Sequence, residues 1–321
     1  MNRELAKKVA DAVLYEGYML YPYRRSAMKN QQRWTFGILY PPAFEEVQSG
    51  TERSVMHSEC LLEMMKDDAK LEVELRFLQL AQVEEDREEG IERSVKFTVP
   101  LPGDWHCVPF TFPASSEIEP RAGANGGAAG AVKHTLQELS GAVTLLSERI
   151  AEGIFKLTIE VMNKTRASRE GMDRNSALLR SLLSAHTILS VTGAEFVSLL
   201  DAPEKFRAAV SQCRNVGNFP VMIGEAGERD LMLCSPIVLY DYPQIAPESA
   251  GDFYDSTEMD EMLTLRVMTL TEEEKAEMRN SDDRVRDLLQ RTEATAREQL
   301  TRTHGTIRGR GPAPPSNEKS A

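Results

Sequence analysis

Between residues 54 and about 165 apolar and polar residues alternate with a period of two. Leu71, Val73, Leu75 and Phe77 are interleaved with Glu72, Glu74 and Arg76, the pattern of a strand with one buried and one wet face. Val95, Phe97 and Val99 repeat it. So do Phe155, Leu157, Ile159 and Val161, ahead of a turn at Asn163-Lys164-Thr165. Residues 108–112 and 143–146 add further strand material. Several short strands joined by hairpins or loops favour an antiparallel sandwich over a parallel sheet. The glycine- and alanine-rich block 121–131, RAGANGGAAGA, reads as a flexible insertion between strands.

The pattern differs on either side of this region. Leu5, Val9, Ala12 and Val13 place one apolar stripe on a helix over residues 3–14. The segment RWTFGILY, 33–40, carries β-formers at alternate positions (Trp34, Phe36, Ile38, Tyr40) and predicts a strand. After residue 171, Leu178, Leu179, Leu182 and Leu183 form a helical stripe. Short strands are expected over 188–191 and 195–200, a helix from Pro203, and strands over 219–223 and 231–240. Thr271 and Glu274 fit a capping box, and Val285, Leu288 and Leu289 give the following helix its stripe. Residues 301–321 have the composition of a disordered tail.

The resulting fold class is α+β, an antiparallel β-sandwich-like N-terminal half packed with a mixed α/β, helix-ended C-terminal half. Four regions are expected: 1–44, a helix and a basic tyrosine-rich segment; 45–170, antiparallel β; 171–300, mixed α and β; and the tail.

A net charge of −12 argues against a general nucleic-acid binder, which needs a basic surface. The charge is uneven, with seven Lys/Arg against three Asp/Glu in residues 1–44 and seven against eighteen in 45–120. No apolar run approaches the roughly 20 residues that span a bilayer, and the N-terminus has no signal-peptide pattern. A cytoplasmic protein is expected. The four cysteines, Cys60, Cys107, Cys213 and Cys234, form no CxxC pair and read as reduced, mostly buried thiols.

Catalytic signatures are sparse. There is no phosphate-loop lysine motif, no HExxH and no GxSxG. GEAGERD, 224–230, lacks the lysine and hydroxyl of a phosphate cradle and reads as a turn between two strands. His57 and Cys60, three residues apart, and His106 would supply zinc or iron ligands if the strands brought them together. Adjacent strand residues point to opposite faces, which counts against His106 and Cys107 sharing an ion. No cofactor is otherwise predicted. Residues 241–261 carry seven acidic and no basic residues. Asp252, Asp255, Glu258, Asp260 and Glu261 there read as helix capping and solvation, as a contact surface for a basic segment, or as hard-cation ligands. His186 follows a leucine stripe, where a histidine is most often a core or boundary residue, and no Ser or Cys is placed to be its nucleophile.

The most distinctive stretch is 14–44, LYEGYMLYPYRRSAMKNQQRWTFGILYPPAF. It holds five of the eight tyrosines, and its basic residues face only Glu16. Tyr18, Tyr21, Tyr23, Arg24, Arg25, Lys29, Arg33 and Trp34 are the residue types that dominate interface hot spots. They are the candidate partner-binding residues, with a strap over the chain's own sandwich as the alternative.

The blocks ADAVLYEGYMLYPYRRSAMKNQQRWTFGILYPPAF, SECLLE, LEVELRFLQL, LLSAHTILSVTGAEFVSLLDAPE and the run from CRNVGNFPVMIGEAGERD to TEEEKAEMR together resemble an uncharacterised bacterial protein family. That family is associated with gene clusters for a nickel–iron (NiFe) hydrogenase of the actinobacterial type and its maturation proteins. The resemblance covers nearly all of residues 10–295 and carries over no catalytic or binding residue. It implies an accessory protein for hydrogenase assembly, maturation or function that acts by protein–protein contact. The alternatives are a structural subunit of the hydrogenase complex, and a metal-dependent enzyme or metal carrier using His57, Cys60, His106 or the 241–261 carboxylates.

Overall fold

The computed structural model describes residues 3–14, 36–50, 52–83, 87–122 and 128–243, together with Glu272, Lys275 and Ala276. The chain divides into two compact units, Met1–Ile245 with Tyr254–Ser256, and Ala246–Phe253 with Thr257–Ala321. In the second unit only the three residues at 272, 275 and 276 are described, all helical.

The first unit is a mostly β, sandwich-like structure of two antiparallel sheets. One has five strands in the order β10-β1-β8-β7-β4. Its members are β1 (Val55–Met64), β4 (His106–Phe112), β7 (Leu139–Ala151), β8 (Ile154–Asn163) and β10 (Ala194–Val197). The other has seven: β2 (Lys70–Val83), β3 (Arg87–Pro100), β5 (Ser115–Ala122), β6 (Ala128–Leu136), β9 (Leu183–Thr192), β11 (Phe219–Met222) and β12 (Leu231–Ser235). Their order is β11-β12-β9-β2-β6-β5, with β3 on the other edge of β2.

The β2–β3 hairpin runs in unbroken register from Lys70↔Pro100 to Val83↔Arg87. The period-two alternation then decides which side chains meet. Leu71, Val73, Leu75 and Phe77 of β2 face Cys60 and Leu62 of β1, Leu157, Ile159 and Val161 of β8 and Val143 and Leu145 of β7 in one buried core. Phe77, fully buried, meets Phe110 at a tilt at 5.9 Å and Phe112 edge-on at 5.7 Å and closes the core at the β4 end. Strands from both sides of residue 170 share each sheet, since β9 pairs with β2 and β10 with β1.

The sequence expectations meet the structure unevenly. Helix α1 (Arg3–Leu14) forms as expected, and residues 224–230 do turn between paired β11 and β12. Three expectations are corrected. The leucine stripe is not one helix. A five-residue helix, Arg174–Leu178, capped by Asp173, stops there, and Leu183 opens β9. Leu178 and Leu183 nonetheless share a small core with Tyr40, Phe44, Leu78 and Leu80, so a turn and a strand satisfy the same apolar residues, and ladder pairing outweighs propensity. The glycine-rich block is not wholly an insertion either, because 121–122 and 128–131 belong to the paired strands β5 and β6; Ala and Gly are poor strand formers but obstruct no ladder. Finally, residues 36–40 form one bridge among the described residues, Leu39↔Leu182. Gly37 has φ +57°, and its hydrogen lies where a Cβ would sit 2.9 Å from Pro236. That break puts Leu39 and Tyr40 both inside and leaves Phe36 exposed. The expected alternation over 33–40 therefore fails at its described end.

Candidate functional site

The partner-binding candidates Tyr18, Tyr21, Tyr23, Arg24, Arg25, Lys29, Arg33 and Trp34 lie outside the described residues. What the structure places is the chain on either side of them. On the N-terminal side α1 lies over β9 and β12. Ala6, Val9 and Ala10 pack on Ile188, Val221, Ile223, Leu231 and Leu233. Asp11 closes an ion pair with Arg76, Oδ1 to Nη2 at 2.5 Å. On the C-terminal side the Gly37 carbonyl accepts from the Ala185 N–H at 2.9 Å, and Leu39 exchanges both backbone hydrogen bonds with Leu182. Tyr40, the one tyrosine of the 14–44 stretch that is described, is buried and stacks on Phe44 at 4.7 Å.

These two attachments converge. Arg76 and His186 are ladder partners across β2 and β9, and Ala185, which holds Gly37, is the residue before His186. The outer face of β2 at Arg76 is therefore covered rather than wet, contrary to the alternation read from the sequence. β9 is buried on both faces from Leu183 to Val191, although Ser184, His186 and Ser190 make its outer face largely polar. The ladder is also irregular here. The register shifts between Arg76 and Leu78, and Ser184 adopts φ +49°, a conformation that a non-glycine residue holds only when its surroundings impose it.

His186 is wholly buried, and its Nδ1 lies 2.8 Å from the Ser184 carbonyl. A carbonyl only accepts, so Nδ1 carries the proton and Nε2 is bare. Among the described residues neither that Nε2 nor Arg76 Nη1 has a hydrogen-bond partner. Burial, with the Arg76 guanidinium alongside, pushes the imidazole pKa down to about 3. The native state thus keeps His186 neutral while the unfolded chain protonates it near 6.5. Below pH 6.5 the unfolded state binds the extra proton, so His186 makes stability fall as pH drops toward 3. The expected slope is roughly 1.4 kcal/mol per pH unit. Denaturant unfolding of wild type and His186→Gln between pH 6 and 4 checks it: the wild-type curve is steeper by about that amount, and equal slopes refute the assignment.

The metal candidates do not converge. His57 lies on the outer face of the five-stranded sheet, with Nδ1 3.0 Å from Glu160 Oε1 and Nε2 3.5 Å from Glu59 Oε1. Lys156 Nζ is 3.3 Å from the same Glu59 oxygen, and the Arg214 N–H donates to the other at 2.7 Å. Burial works to raise the Glu59 carboxyl, but the Arg214 N–H and Lys156 outweigh it and hold it below the usual carboxylate range. A lysine already occupies the place a cation would take.

Cys60 points the other way, into the core, and burial pushes its thiol well up. Cys213 and Cys234 are likewise raised to about 11 by burial, which makes them poor nucleophiles and poor ligands. His106 lies on β4, separated from β1 by β7 and β8. Among the described residues no group of three or more His, Cys, Asp or Glu is placed to hold an ion. The metal set His57, Cys60 and His106 is therefore corrected: a period of two sends His57 and Cys60 to opposite faces.

Of the acidic stretch, Asp252, Asp255, Glu258, Asp260 and Glu261 lie outside the described residues. Asp241, its first member, is a structural crosslink whose oxygens accept from the Met222 N–H at 2.8 Å and the Ser198 hydroxyl at 2.5 Å. Among the described residues, no helix is long and apolar enough to cross a membrane. No protein-family model and no curated protein matches this chain in sequence.

Proposed function

We propose that this chain is a non-catalytic accessory protein that works by protein–protein contact and serves the assembly, maturation or function of a nickel–iron hydrogenase. The basic, tyrosine-rich residues between α1 and Phe36 form its docking surface, and the helix-ended region beyond residue 245 completes a mixed C-terminal half. The sequence resemblance motivates the choice of partner. The observation that carries the contact reading is the double anchorage of that stretch. Asp11 on Arg76 holds one side and Gly37 on Ala185 the other, at neighbouring positions of the β2–β9 ladder. A stretch tied down at both ends loses less conformational entropy when it is buried against a partner. Its positive charge, on a chain of net charge −12, would steer encounter with an acidic surface.

The test is capture of the tagged chain from its native host, followed by size exclusion. Hydrogenase subunits or maturation factors are expected in the captured material. If they elute with the chain and active enzyme as one complex, the protein is a structural subunit. If they separate from the active enzyme, it is a transient accessory. Recovery of neither class of protein would overturn the hydrogenase assignment.

A further inference from the structure

The geometry points to α1 as a releasable latch: a helix held shut over β9 and β12 by Asp11, above two buried polar atoms that its closure leaves without partners. The apolar side chains described on it are mostly small. Among its described side chains the buried ones are Ala6, Val9 and Ala10, with Leu5 only partly covered, and a helix of this length is not stable alone in water.

Beneath it lie Arg76 and His186, ladder partners on the same outer face. Arg76 is 8% exposed. Its Nη2 reaches Asp11 at 2.5 Å and Glu92 at 3.6 Å, but Nη1 donates to nothing. His186 spends its one N–H on the Ser184 carbonyl and presents a bare, unpartnered Nε2.

Most buried polar groups are paired because an unpaired one forfeits its hydration. Two on one face, beside a serine at φ +49° and a register shift, mark a place where closure is opposed. Lifting α1 lets water reach Nη1, Nε2 and both members of the ion pair, and it exposes Ile188, Val221, Ile223, Leu231 and Leu233. The opening is local: β2 and β9 remain paired to each other and to their other neighbours. This inference concerns α1 itself and stands whichever partner the protein meets.

Native-state hydrogen exchange on the full chain tests it. Amides of α1 are expected to exchange through a local opening, at least a hundredfold faster than those of β2 and β9. Rapid exchange alone is ordinary for a terminal helix, so the variants decide. His186→Leu, which removes the unpartnered Nε2 and keeps the Arg76–Asp11 pair, should slow α1 exchange about tenfold, with β7 and β8 unchanged. Asp11→Asn, which leaves the guanidinium only the longer contact to Glu92, should speed α1 exchange about tenfold. Simple fraying predicts α1 rates unmoved by His186→Leu, and that result overturns the proposal. So does α1 exchanging together with β2 and β9 in the wild type. If His186→Leu does not fold, unchanged α1 rates in Asp11→Asn overturn it instead.

Discussion

Replacing Phe77 with alanine is expected to destabilise the sandwich by about 3–5 kcal/mol, the range for removing a buried phenylalanine. Phe77 is fully buried and is the residue on which Phe110 and Phe112 of the opposite sheet converge. Those two rings lie 6.0 Å apart, and both belong to β4, an edge strand paired only with β7 among the described residues. Neither ring can follow the truncation inward without disturbing that ladder, so a cavity remains. Urea unfolding measures the loss as a lower midpoint at unchanged slope. A loss under about 1 kcal/mol would mean that the core collapses around the site, and that the packing drawn at the β4 end is wrong.

The second large effect is expected at Asn163, at the end of β8. Its amide donates to the Leu39 carbonyl and the Arg180 carbonyl, both at 2.8 Å, and its side-chain oxygen accepts from the Thr165 N–H at 2.9 Å. One buried side chain thus fastens the chain at Leu39, the turn before β9 and the exit from β8. Asn163→Ala removes all three bonds and leaves the Arg180 carbonyl and the Thr165 N–H short of a partner. Each such group costs about 1–3 kcal/mol, so the total is about 2–6 kcal/mol. Asn163→Asp keeps the acceptor but sets a carboxylate against two carbonyls, and it is expected to be no better than alanine. A near-neutral Asp variant would show that the Leu39 and Arg180 carbonyls are not where the hydrogen bonds place them.

How much of this was legible in the residues depends on whether local pattern or distant pairing decides each element. The alternation over β2, β3 and β8 is local, and each emerges as a strand with the expected face inward. The turn between β11 and β12 is also local. Leu178, Leu179, Leu182 and Leu183 mislead because a helix and a turn-plus-strand bury the same leucines, and only β2, a hundred residues upstream, settles which forms. The strand expected over 33–40 fails for a similar reason: Gly37 must pass against Pro236, a neighbour nothing nearby in the chain announces.

The candidate site was partly legible. Residues 14–44 could be recognised from composition, whereas the Arg76–Asp11 pair and the buried His186 could not. Arg76 reads as the third wet residue of an alternating strand until α1 is laid across it. The metal candidates fail on face: His57 and Cys60 are close in sequence, but the ladder sends one to the outer surface and the other to the core.

The basic, tyrosine-rich stretch is proposed to meet a protein partner. Its most direct test is the recovery of hydrogenase subunits or maturation factors by Arg24→Glu/Arg25→Glu relative to wild type, captured from the same host, with thermal unfolding of the two proteins compared. Reversing two charges at a steering surface slows encounter and places like charges against an acidic partner. Recovery is expected to fall at least tenfold while the unfolding midpoint is unchanged. Equal recovery, together with undiminished hydrogenase activity in the host, would contradict the account.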